Sequence, residues 1–184
     1  VFGATLVMAI IGALDDLRPI NVLPRLICQA LAVGAILMAL PENARIVSQC
    51  PLRLERSLLL IAGIWFVNLV NFMDGLDWMT VAEAVPVAGT LALLGITGHL
   101  PPATALTMSA LGGAMIGFAP FNRPVAKLFL GDVGSLPIGL LLGWALLELA
   151  ARGHVAAALL LPLYYLADAT VTIVRRALNR ERIW

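Results

Sequence analysis

Long apolar runs alternate with short polar segments along the whole chain. Seven runs can be read, at residues 1–14, 23–41, 57–73, 79–98, 103–118, 135–151 and 154–174. Their lengths suit membrane crossings, since about 20 helical residues span the hydrocarbon layer. Each is expected to be a helix, because a backbone in lipid must satisfy its own hydrogen bonds. Pro24 and Pro41 bound the second run, and Pro101 with Pro102 opens the fifth. Glu83 and Pro86 lie early in the fourth, so a kink is expected there. The expectation is an all-α, polytopic integral membrane helix bundle, with about six full transmembrane helices plus one truncated at the start. Residues 1–184 form a single membrane domain, with no repeat or linker. The chain starts at Val1 inside an apolar run and stops at Trp184 without a terminating pattern, so it is expected to be an internal fragment of a longer protein.

Four polar segments punctuate the runs: Asp15-Asp16-Leu17-Arg18, Asn68 to Asp77, Phe129 to Ser135, and Arg175 to Arg182. If every run crosses, alternation places all four on one face of the bilayer. That face carries eight Lys and Arg residues (Arg18, Arg25, Arg123, Lys127, Arg175, Arg176, Arg180, Arg182), against four on the other (Arg45, Arg53, Arg56, Arg152). The positive-inside rule makes the first face cytoplasmic. His99 and His154 fall on the opposite face, away from the acidic segments.

Composition settles the class. Apolar residues make up 61% and charged residues 12%, and the mean hydropathy is +0.96. Ordinary soluble domains hold roughly half and a quarter. A net charge of +1 excludes a strongly basic nucleic-acid binder. Cys28 and Cys50 are too few for a disulfide framework or a zinc site.

The polar segments carry the candidate chemistry. Asp15 and Asp16 are adjacent carboxylates at the end of an apolar run. Such a pair serves as a helix stop, but its repulsion is also relieved by a divalent cation or a basic partner. Arg18 and Arg25 are near enough to be that partner, or to clamp phosphate. Asn68, Asn71, Asp74 and Asp77 are spaced by three, so a helix continuing through them would align them on one stripe. Their hard oxygens suit Mg²⁺, or Mn²⁺, better than Zn²⁺. Asx-rich helix ends also occur as simple caps. Asp132 lies between Gly131 and Gly134, and Ser135 is expected to open the next helix; glycines there admit a bulky anion, and helix N-termini attract phosphate. Within the runs, Glu148 is expected to be paired structurally, and Asp168 to face Arg175 or a substrate. Gly113-xxx-Gly117 and Gly139-xxx-Gly143 have the spacing of helix-packing contacts.

GALDDL at 12–17, NLVNFMDGLDW at 68–78 and FLGDVGSLPIG at 129–139 together resemble the polyprenyl-phosphate N-acetylhexosamine-1-phosphate transferases, glycosyltransferase family 4. The motifs stand in the family's order, two crossings apart, and cover nearly the whole chain. The tail from Tyr164 looks like the bacterial branch that starts O-antigen and related glycans, rather than the peptidoglycan branch. The resemblance implies transfer of an N-acetyl sugar-1-phosphate from a UDP-sugar to undecaprenyl phosphate, releasing UMP, with Mg²⁺ at a cytoplasmic site of the bacterial inner membrane. It implies Asp132 as the metal ligand, with Asn71 beside it. Asp15 or Asp16 would activate the lipid phosphate or help hold the metal, and Asn71, Asp74 and Asp77 would shape the nucleotide-sugar and metal pocket. Asn68, Arg25, Gly131 and Ser135 are the candidate substrate contacts, and a homodimer is the candidate assembly.

Two departures stand out. Trp78 occupies a position that is often Gly in the family, and the family's His-rich cytoplasmic loop is expected beyond Trp184. Without that loop, residues 1–184 alone are expected not to transfer sugar-phosphate. Among rivals, an intramembrane prenyltransferase expects Asp spacings of four, and a CDP-alcohol phosphatidyltransferase a longer DG…AR run. A cation-coupled transporter would use Glu83, Glu148 and Asp168 at the midplane.

Overall fold

The computed structural model describes residues 1–41 and 44–179, and among them the regular structure is entirely helical. In chain order the helices are α1 (Phe2–Leu17), α2 (Val22–Ala39), α3 (Leu52–Met73), α4 (Met79–Ile96), α5 (Pro102–Asn122), α6 (Gly131–Ala151), α7 (Val155–Leu160) and α8 (Leu163–Leu178). Five of them, α2 to α6, are long and apolar enough to cross a membrane. The chain is an all-α, polytopic membrane bundle.

One expected crossing is built differently. The run 154–174 is interrupted at Leu161 and Pro162, giving the short α7 and the separate α8. Pro162 has no N–H for the carbonyl one turn back, and its ring crowds that turn, so a straight helix cannot pass through it. At the other extreme α3 starts at Leu52, ahead of the apolar run. Its buried Glu55 makes this tolerable by accepting the Arg45 guanidinium and the N–H groups of Ile46 at 2.7 Å and Val47 at 3.0 Å.

Contacts at the two ends of the bundle fix the topology. At one end, Arg56 at the start of α3 donates to the carbonyls of Leu37 at 2.9 Å and Pro41 at 3.0 Å. Thr104 on α5 donates to Glu148 on α6, the structural pairing expected for that carboxylate. His99 and His154 meet edge to face there, with centroids 5.1 Å apart. At the opposite end lie the termini of α1, α3 and α5 and the starts of α2, α4 and α6, with the acidic segments among them.

Helix α6 is the axis, with side chains in both hydrophobic clusters: one shared with α1, α2 and α3, the other with α3, α4, α5, α7 and α8. Gly139 and Gly143 lie against Val67 and Phe66 of α3, as their spacing predicts. Gly113 and Gly117 do not: both are exposed on α5 with open space beside them. Their small side faces pack nothing within the described residues.

The approach of α1 to α6 is closer still. A Cβ at Gly12 would run into the backbone carbonyl of Asp132. Gly12→Ala is therefore expected to destabilise the fold by about 1–3 kcal/mol, the usual cost of overpacking. A thermal unfolding midpoint in detergent equal to wild type would contradict this contact.

Candidate active site at one end of the bundle

Asp15 and Asp16 occupy the last turn of α1, where successive side chains point about 100° apart. They go to different partners. Asp15 accepts Arg25 Nη1 of α2 at 2.8 Å, and the same nitrogen reaches Asp132 of α6 at 3.2 Å. One guanidinium thus bridges two carboxylates from two helices. Asp16 instead turns to the start of α6, where the N–H groups of Asp132 and Val133 each donate to its carboxylate at 2.9 Å.

This differs from the sequence expectation in two ways. Helix α6 begins at Gly131, and Ser135 lies inside it, fully buried, so Ser135 opens nothing. The N-terminal amides expected to attract phosphate are already taken by Asp16. An anionic cap at a helix N-terminus is favourable whichever part of the chain supplies it. Gly131 allows the close fit: its φ is +64°, and a Cβ there would lie 2.6 Å from the Asp16 carboxylate.

Asn71, in the last turn of α3, donates its amide to Asp132 at 2.6 Å and to Ser135 Oγ at 2.8 Å. Asp15, Arg25, Asp132, Asn71 and Ser135 are therefore one bonded group drawn from four helices. It turns the Asn71 nitrogen, not its oxygen, toward Asp132. The helix ends at Met73, with Asp74 as its C-cap. Asp74 accepts the Thr80 hydroxyl. Burial pushes its carboxyl up to about 6; the Thr80 bond offsets part of this, and the Asp132 charge adds to it.

Two members of the expected stripe stand apart. Asn68 lies inside the bundle, exchanging hydrogen bonds with Gln29 and donating to the Ile64 carbonyl at 2.8 Å. Asp77 falls beyond the helix end, so the spacing of three no longer aligns it. Its carboxylate takes the Ala126 N–H at 2.9 Å and orders the α5–α6 connection. Arg18 and Asp168 are exposed, and among the described residues neither makes an ion pair. Arg180 and Arg182 lie outside the described residues.

Several residues were missed from the sequence. Gln29 is fully buried, and its signal was a lone amide in an apolar run. Asn122 is buried too; it accepts the Trp78 N–H at 2.9 Å and donates to the Leu128 carbonyl at 3.0 Å. Trp78 holds φ at +66°, a conformation in which Gly is at ease and Trp is strained. The bond to Asn122 helps to hold it there.

The cluster offers one guanidinium to a phosphate and carboxylate oxygens to a cation. Asp132 and Asp74 are the carboxylates suited to a divalent cation, and Asp74 has no basic partner among the described residues. No group of three or more His, Cys, Asp or Glu side chains among them is placed to hold a metal unaided.

Comparisons with known proteins place the chain in a family. The chain is 32% identical over 152 residues to a phospho-N-acetylmuramoyl-pentapeptide-transferase of Leuconostoc citreum, covering 74% of this chain and 47% of that protein. It is 39% identical over 79 residues to the protein of the same name from Enterococcus faecalis, covering 43% and 24%. The chain thus spans about half the length of the Leuconostoc relative. A profile described as glycosyl transferase family 4 matches residues 1–150, which takes in all three acidic motifs, and the chain belongs to that family.

Proposed function

We propose that the protein transfers N-acetylhexosamine-1-phosphate from a UDP-sugar to a polyprenyl phosphate in the bacterial inner membrane. The products are a polyprenyl-diphospho-sugar, the lipid-linked start of a surface glycan, and UMP. The observation that carries this reading is the single guanidinium of Arg25 held between Asp15 and Asp132 at one end of the bundle. A cation fixed at membrane depth beside carboxylates is what an anionic lipid headgroup and a nucleotide-sugar need in order to approach each other.

In this reaction a lipid phosphate oxygen attacks the sugar-bearing phosphorus of the donor. The bond to the bridging oxygen breaks, and UMP leaves with the electron pair. Arg25 pairs with the lipid phosphate, and Asp15 keeps the guanidinium aimed. Asn71, fixed against Ser135, holds the Asp132 carboxylate in place. A bound Mg²⁺ would supply positive charge to the donor diphosphate, held by Asp132 and Asp74. Positive-inside counting puts this end of the bundle in the cytoplasm, where UDP-sugars are made.

The names of the relatives support a second donor reading, a UDP-sugar bearing a muramoyl peptide, beside the simple N-acetylhexosamine donor of O-antigen-like pathways. A donor panel on the full-length protein that contains these residues, following UMP release with UDP-GlcNAc, its deoxy analogues and UDP-MurNAc-pentapeptide, separates the two. Turnover with the simple sugars alone is the expected result, and turnover with the peptide donor alone would reassign the branch. Release from none of them would sink the reaction. Of the three carboxylates of the transporter reading, Glu148 is paired to Thr104 and Asp168 is exposed on α8, which leaves Glu83 as the remaining one.

A further inference from the structure

A second polar chain leaves Asp74 and runs into the bundle, away from Arg25. Thr80, in the first turn of α4, donates its hydroxyl to Asp74. Tyr165, in the first turn of α8, reaches the Thr80 oxygen at 3.5 Å. Both are buried, with Thr80 and Tyr165 each 1% exposed. A hydroxyl has one proton to give. The ionised carboxylate can only accept, so the Thr80 proton goes to Asp74 and the Tyr165 proton to Thr80. The direction of the chain is fixed.

The helix break at Pro162 makes this arrangement possible. Tyr165 lies within the first turn of α8, where backbone N–H groups lack intrahelical acceptors. Glu83, one turn beyond Thr80 on α4, lies beside that backbone. Helix α4 therefore meets α8 at two points, with Glu83 beside the Tyr165 backbone and Thr80 at its phenol. A continuous helix through residues 154–174 would have spent the Tyr165 N–H on its own turn.

Asp74 needs such a hold. It is a helix C-cap, its charge faces that of Asp132, and among the described residues no cation fixes its carboxylate. We propose that Thr80 is the positioning residue for Asp74, steadied by Tyr165, so that α8 sets the orientation of a carboxylate in the transfer site. This rests on the phosphoglycosyl-transfer reading above.

The test uses the full-length protein that contains these residues, in detergent with polyprenyl phosphate and the donor found active. Thr80→Val keeps the shape and removes the hydroxyl, and Thr80→Ser restores it. Loss of a hydrogen bond to a charged group predicts a fall in kcat of about ten- to a hundredfold for Thr80→Val. The KM for polyprenyl phosphate should stay unchanged, because Arg25 and Asp15 are untouched. Thr80→Ser should return to within about threefold of wild type, and Tyr165→Phe should fall between the two. Thermal midpoints report folding separately. A Thr80→Val protein with wild-type kcat overturns the proposal, as does a loss of kcat that tracks the thermal midpoint and is not recovered by Thr80→Ser. A wild-type protein inactive with every donor overturns the reaction and this role with it; an active wild type with an undiminished Thr80→Val overturns this role alone.

Discussion

Asp132→Asn is expected to lower turnover about a thousandfold, the scale of several kcal/mol of lost charge stabilisation at a transferring phosphoryl group. The substitution keeps the shape of the side chain and removes its charge. In the structure Asp132 is the carboxylate on which everything converges: Arg25 at 3.2 Å, Asn71 at 2.6 Å, and its own backbone N–H held by Asp16. A neutral amide cannot serve both Arg25 and a divalent cation in the same way. UMP release measured across a Mg²⁺ titration tests this, with Arg152→Ala at the opposite end of the bundle as a control that should keep nearly full activity. Equal activity of Asp132→Asn and wild type at every Mg²⁺ concentration would refute the role.

Arg25→Met is expected to have the second largest effect, on stability as well as activity. It leaves the Asp15 and Asp132 carboxylates facing one another without their shared cation. Breaking a fully buried pair costs about 3–5 kcal/mol. These side chains keep 25%, 10% and 23% of their surface for Arg25, Asp15 and Asp132. Solvent screening lowers the figure to about 2 kcal/mol. Arg25→Lys should recover part of the stability, since the charge remains, but less of the activity, since a point-like ammonium pairs with a phosphate less well than a guanidinium does. Unfolding midpoints and UMP release for both variants would settle it; an Arg25→Met protein as stable as wild type would show that the bridge holds nothing together.

Much of this was legible in the sequence, and what was not has physical causes. The crossings were readable because lipid forces long apolar helices on any backbone that enters it. Asn71 and Asp74 were readable because the helical period carries local spacing into space. Asp77 was misplaced because that period holds only while the helix lasts, and α3 ends at Met73. Ser135 looked like a helix cap because it follows a glycine, yet the cap comes from Asp16, on a helix more than a hundred residues earlier. No local pattern announces such a partner. Thr80 and Tyr165 carry no distinctive signal in an apolar chain, since each becomes informative only through the side chain it meets. Gly113 and Gly117 show the converse: the packing spacing was present, but no neighbour within the described chain uses it.

The bridge formed by Arg25 also sets a charge balance. Asp16 is held by the backbone amides at the start of α6, which are neutral donors and leave its charge in place. Asp15, Asp16, Asp74 and Asp132 then share a single guanidinium, and with all four ionised the cleft carries a net formal charge of about −3 before any ligand arrives. A bare nucleotide-sugar, itself dianionic, would be repelled from such a cleft. One divalent cation offsets two of these charges. For the proposed reaction, the donor is therefore admitted as its metal complex, and the Mg²⁺ titration reads an entry requirement as well as a chemical one.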